Sequence, residues 1–205
     1  MKTQKQFTSP SYFINLILIF ILSMSFANAQ DVDTNRPDSH KPETEMMPAI
    51  YWDVKAYLPD ARLIKVKAID KDGNMHNVKA IQNFYDTSIL DVKAIVDGEH
   101  LPVKLIVDET EIYFPLKAIS NDGTLFDIMA ITEENDQMPI KGIGKSGNIV
   151  YIKVIDKDNS FYKVFAISPK GIINDIKGIK LLDTKEETTI NDVSIYAHVK
   201  ALKQN

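Results

Sequence analysis

The 205-residue chain carries 24 basic and 28 acidic side chains, 44% hydrophobic residues and no cysteine. Without cysteine there is no disulfide, thiol nucleophile, Cys-ligated zinc or lipidated cysteine. The acidic balance disfavours general affinity for nucleic acid or an anionic membrane, though not a local basic patch.

Residues 1–29 read as a secretory signal peptide. Lys2 and Lys5 supply the positive start, Tyr12 to Phe26 the apolar region, and Ala27-Asn28-Ala29 a small-x-small cleavage site. The apolar run is short for a membrane span and no stop-transfer pattern follows. The sequence therefore predicts export to the periplasm or beyond the cell. Cleavage would leave 22 basic against 28 acidic side chains, a net charge of −6. A cysteine-free exported β domain fits a bacterial source. Residues 30–48 hold Asp31, Asp33, Asp38, Glu43 and Glu45 with Pro37 and Pro42 and little that is apolar. Such a segment buries too little surface to fold and is expected to be a disordered acidic tether. The folded domain is expected over residues 49–205, enough to enclose a core.

That domain is a repeat. Aligning on Val-Lys-Ala-Ile gives twelve copies, starting at Val54, Val66, Val78, Val92, Val103, Leu116, Ile128, Ile140, Ile152, Val164, Ile176 and Val199. The first position is always aliphatic. The third is small in ten copies, the exceptions being Leu105 and Val154, and the fourth is Ile in ten. A period near twelve with β-branched residues and Asp/Gly/Pro punctuation predicts short strands joined by short turns. Gly73, Gly98, Gly123, Gly147 and Gly171 mark every other connection, so the expected unit is a hairpin of 24 or 25 residues. The fold class is all-β: an antiparallel meander of about twelve strands. First-to-last strand pairing is expected to close it as a barrel, with a β-trefoil as the alternative.

The pleat assigns faces. Trp52, Ile64, Leu90, Leu101, Phe114, Phe126, Met138, Val150 and Tyr162 lie two residues before the aligned aliphatic and share its face with the small residue. The fourth-position Ile has the opposite parity. Either a β-bulge returns it to the core, or the outer face carries a covered apolar band. Lys55, Lys67, Lys79, Lys93, Lys104 and Lys117 lead a lysine ladder on the outer face, with Asp53, Asp91 and Asp175 two residues before some of its members. A charged exterior on short strands argues against a membrane barrel.

Few residues suggest chemistry. Asp70, Asp72 and Asn74 resemble the start of a calcium loop, but position twelve is Ile81 rather than Glu. The bland reading is a hairpin turn. The lysine ladder, at Lys55, Lys67, Lys79, Lys93, Lys104 and Lys117, is either a salt-bridged solvated face or a polyanion-binding surface. His40, His76, His100 and His198 share no metal spacing. The regular aromatics suit a core better than a sugar platform. No nucleophile triad, phosphate loop or paired-carboxylate setting stands out, so no cofactor and no catalytic residue is expected.

The Asp-Val-Lys-Ala-Ile run, ending in Ala197-His198-Val199-Lys200-Ala201-Leu202, resembles uncharacterised secreted repeat proteins of the Bacteroidetes over residues 50–202. That resemblance implies no activity and no functional residues. The reading is a non-enzymatic exported binding or structural module. It is expected to be a monomer, not membrane-embedded, with polysaccharide or an envelope protein as partner and no nucleic acid. The alternative is a small-ligand carrier or hydrolase with a site at one mouth of the β domain.

Overall fold

The computed structural model describes residues 48–180 and 189–204. The expected signal peptide, nearly all of the tether, and His40 lie outside them. The described residues contain no helix and thirteen strands: β1 Ile50–Tyr57, β2 Leu63–Ile69, β3 Met75–Gln82, β4 Ile89–Val96, β5 Glu99–Ile106, β6 Phe114–Ile119, β7 Leu125–Ile131, β8 Gln137–Ser146, β9 Ile149–Ile155, β10 Phe161–Ile167, β11 Ile173–Lys180, β12 Thr189–Ile190 and β13 Val193–Lys203. Twelve carry the repeat; β12 is a two-residue addition that pairs only with β13.

All pairings are antiparallel and they close on themselves, but not as expected. β1 does not pair with β13. It pairs with β10, β2 and β3, while β13 pairs with β11, β4 and β5. Each repeat strand pairs with three other repeat strands. On one side it meets a single neighbour. On the other it changes neighbour at mid-length, so that β1 pairs with β3 through Asp53 and with β2 from Lys55. The switch falls on the aligned aliphatic in every copy, Val54 here and Val66 in β2, where Lys65 faces β1 and Lys67 faces β3.

Three strands that switch onto one another form a triad, and there are four. Triad A is β1, β2 and β3; B is β4, β5 and β13; C is β6, β7 and β8; D is β9, β10 and β11. Six further pairings link each triad to each of the other three: β1–β10, β2–β7, β3–β4, β5–β6, β8–β9 and β11–β13. The connectivity is that of a truncated tetrahedron. One meandering chain covers a closed shell with few free edges.

This topology accounts for the repeat. Along the linking pairs the aligned aliphatic of one strand faces the third-position residue of its partner. Val54 meets Ala166, Val66 meets Ala130 and Ala80 meets Val92. A small residue is needed because an aliphatic points into the same space. Leu105 breaks the rule, and the molecule compensates with glycine. A methyl on Gly178 would lie 2.7 Å from Leu105 Cδ1, and one on Gly142 would lie 2.9 Å from it. Inward side chains build one buried cluster that includes Trp52, Leu90, Leu105, Phe126, Ile128 and Ile140, with Phe114 and Tyr162 packed partly buried against it.

The fourth-position Ile stays on the outer face. Register runs through Lys67, Ala68 and Ile69 without a bulge, placing Ile69 opposite Met75 and Asp127. Neighbouring side chains still bury Ile69, Ile81, Ile119 and Ile131. Ile119 joins Ile106 and Ile195 in a second cluster, against which Ile190 and Val193 of the β12–β13 hairpin pack. In these copies the covered outer band is the alternative realised; in β8 a register shift between Gly142 and Gly144 falls on the fourth-position Ile143.

The turns are also more uniform than their sequences. Six share one geometry, in which the fourth residue donates to the first carbonyl, as Gly73 does to Asp70 at 3.1 Å. That fourth residue has positive φ and is Gly only half of the time; Ala61, Asn135 and Asn159 take the same conformation. Within these six, turns with and without glycine do not differ in kind, whereas Gly98 and Gly147 sit in two-residue connections.

Candidate polyanion site on the outer face

Because each strand changes partner at an inward aliphatic, the outward residues on either side of that position face two different neighbours. Three strands therefore bring six outward side chains around each triad centre. The residue just after the aliphatic, lysine in every copy but Met129 and Phe165, is one of them, so the ladder seen in sequence becomes four separate clusters.

Triad A is the most basic. Lys55 lies opposite Lys65, Lys67 opposite Asn77, and Lys79 opposite Asp53. Lys79 is salt-bridged to Asp53, and Lys67 Nζ donates to Asn77 Oδ1 at 2.8 Å. Four lysines against one aspartate give the cluster a charge of +3. Lys67 is held below the usual lysine pKa range by burial first, then by Lys65, Lys79 and Lys55. Asp53 is pulled down chiefly by its hydrogen bond from Lys79. Beside the triad, a depression of about 420 Å³ is lined by Lys55, Lys65 and Lys67 together with Thr132, Glu133 and Asn135. The three lysine side chains thus share one hollow, in which Leu63, Ile64, Met75 and Ile131 are the apolar lining residues and Glu133 the carboxylate.

Triads B and D repeat the pattern. In B, Lys93, Lys104 and Lys200 gather with His198 around Asp91. Lys104 is buried and its Nζ donates to His198 Nδ1. Burial, then Lys93 and Lys200, lowers its pKa to about 8, against the pull of Asp91. Burial alone would raise Asp91, but its hydrogen bond and ion pair with Lys200 bring it below the usual carboxylate range. In D, Lys153 faces Lys163, and Lys177 lies 3.4 Å from Asp175. Lys153 is lowered by burial, then by Lys163 and Lys177. Both triads carry +2 with His198 neutral. Triad C differs: Lys117 is salt-bridged to Asp127, and Lys141 bonds Glu111 at 2.7 Å. Its remaining outward positions are Pro115, Met129 and Pro139.

The profile of a family of unknown function, DUF7486, matches residues 48–202. The chain belongs to that family. No curated protein and no solved structure matches it. The matched span opens just before β1 and ends within β13, so the DUF7486 domain comprises the four triads.

The domain separates the six predicted lysines. Lys55, Lys67 and Lys79 meet in triad A, Lys93 and Lys104 in B, and Lys117 sits in the neutralised C. The sequence reading left out Lys65 and Lys163 because they precede the aliphatic instead of following it. The pleat places both positions outward, so parity alone contained the signal. Asp70, Asp72 and Asn74 form a self-satisfied turn. The Asp70 carboxylate accepts from the backbone N–H groups of Asp72 and Asn74 at 2.9 and 2.8 Å and from Asn74 Nδ2 at 2.8 Å. These bonds, that from the Asn74 side chain foremost, lower its pKa to about 2. Among the described residues no three His, Asp or Glu side chains are grouped to hold a metal ion. His76 lies against the Phe126 ring, with centroids 5.7 Å apart.

Proposed function

We propose that the protein is an exported, non-enzymatic binding module that takes a polyanion, of the acidic polysaccharide class, at triad A. The observation that carries this reading is the crowding of Lys55, Lys65 and Lys67 around one hollow. Lys67, lowered by burial and then by its lysine neighbours, gains when an anion arrives, because the ligand's charge offsets both the desolvation and the repulsion. A face meant only to be soluble would intersperse acids, as triad C does. Secretion and a bacterial envelope setting belong to the same proposal and rest on the Ala-Asn-Ala junction and the repeat resemblance.

Retention on immobilised heparin over a salt gradient tests it. Lys55→Glu with Lys65→Glu and Lys67→Glu is expected to move elution to markedly lower salt. Lys117→Glu with Lys141→Glu in triad C is expected to leave elution nearly where it was. Equal elution of the triad A variant and the parent would sink the proposal.

A second reading has one observation behind it. A groove of about 410 Å³ is lined by Ile50, Trp52, Gln82, Phe84, Tyr85 and Ile172, among others. Phe84 and Tyr85 are among the most exposed large side chains. This is where a small apolar ligand would sit if the domain were a carrier.

A further inference from the structure

The triads point away from one another. Each of the three strands of a triad leaves it toward a different one of the other three, which puts the four centres on the corners of a tetrahedral shell. Outward side chains on such a shell diverge. A ligand seated on triad A therefore cannot also lie flat on B or D without passing over the surface between them.

That intervening surface is acidic. Triad centres are the middles of strands, so the turns, at the strand ends, lie between triads. Asp70, Asp72, Glu133, Glu134, Asp156 and Asp158 all occupy turns, and Lys71 and Lys157 among them leave each of these turns net negative. Lysine is thus concentrated mid-strand and carboxylate at the ends, although the chain as a whole is negative. Fields from such patches decay over about 8 Å at physiological salt, so neighbouring signs do not simply average out.

We infer that the protein bridges polyanion chains: triads A, B and D each take a separate anionic strand, and the acidic turns keep one strand from wrapping onto two triads. This rests on the polyanion reading of triad A and adds valency to it. Bridging by a small multivalent body raises avidity without any new contact and produces networks at balanced ratios. Triad C, with its carboxylates paired to Lys117 and Lys141, takes no strand.

Two measurements test the inference. Isothermal titration with a heparin-derived tetrasaccharide is expected to show more than one sugar per protein. Titration with long heparin is expected to give light scattering that rises to a maximum near charge balance and falls again in excess heparin. Lys93→Glu with Lys163→Glu removes one exterior lysine each from B and D, neither in a hydrogen bond or salt bridge. That variant is expected to elute from heparin at lower salt than the parent because avidity falls, to bind one tetrasaccharide per protein at triad A, and to lose the scattering peak. One-to-one tetrasaccharide binding by the parent, or a scattering peak unchanged in the variant, would overturn bridging and leave the triad A reading standing. Absence of binding to either sugar would overturn both. Scattering of the protein without heparin, if equal, would assign the peak to self-association and also overturn bridging.

Discussion

Leu105, Gly142 and Gly178 form the sharpest test of how the shell is packed. Leu105 is fully buried where other copies carry a small residue, and its methyl groups fill space left by the two glycines. A methyl added at Gly178 would stand 2.7 Å from Leu105 Cδ1, 3.0 Å from Val150 Cβ and 3.3 Å from Ala197 Cβ. Two of those neighbours are Cβ atoms, so the strain cannot be relieved by turning a rotamer. Gly178→Ala is therefore expected to cost about 1–3 kcal/mol, the usual range for overpacking. Leu105→Ala opens a cavity and is expected to cost about 2–5 kcal/mol. With Leu105 shortened, the worst contact disappears and the new methyl partly fills the void. The double variant should be more stable than the sum of the singles predicts, by about 1 kcal/mol or more. Urea unfolding followed by fluorescence suits the measurement, because Trp52 is the chain's one tryptophan and is fully buried. Strict additivity of the two substitutions would refute the compensation argument.

Two pH-dependent outcomes follow from the side chains. Lys104 has a folded pKa near 8, below that of an unfolded lysine. Between those values the unfolded chain binds more protons, so stability should rise with pH from about 8 toward 10. Lys104→Met should remove that rise in urea midpoints and raise stability relative to the parent most at pH 7. Asp70, with a folded pKa of about 2, has the opposite sign. Its contribution is present above the unfolded aspartate pKa and is lost as pH falls from about 4 toward 2. Asp70→Ala should lower the melting temperature at neutral pH and flatten that acid limb. Calcium should not shift the melting temperature of the parent; a saturable calcium-dependent rise would show that the turn opens to hold the ion.

The strands, turns and inward face were legible because period and parity are local. Positions two before, at, and two after each aligned aliphatic came out inward, including Trp52, Ile64 and Met138. The closing pairs were not legible. A hairpin meander can close through its ends or by switching partners mid-strand, and nothing local separates Val54 beside Ala166 from Val54 beside a residue of β13. The fourth-position Ile was left between two alternatives for a related reason. In a flat sheet an outward Ile is exposed, but on a tightly curved shell adjacent outer chains lean over it, and Ile119 is covered outright by the β12–β13 hairpin region.

The same partner switch explains why lysine follows the aliphatic at all. At a triad centre three strands bend around three inward aliphatics, and the outer positions beside them are crowded yet adjacent to solvent. A long stem with a charged tip fits there: it covers apolar surface with its methylenes and keeps the ammonium wet. Structure alone would be satisfied by lysines alternating with glutamates, which have comparable stems. Instead triads A, B and D each hold three or four lysines and a single aspartate. The stem is accounted for by packing; the repeated sign of the charge is not. That excess positive charge is held at crowded positions where burial first, and neighbouring lysines second, lower Lys67, Lys104 and Lys153, and it is what the proposed polyanion would offset.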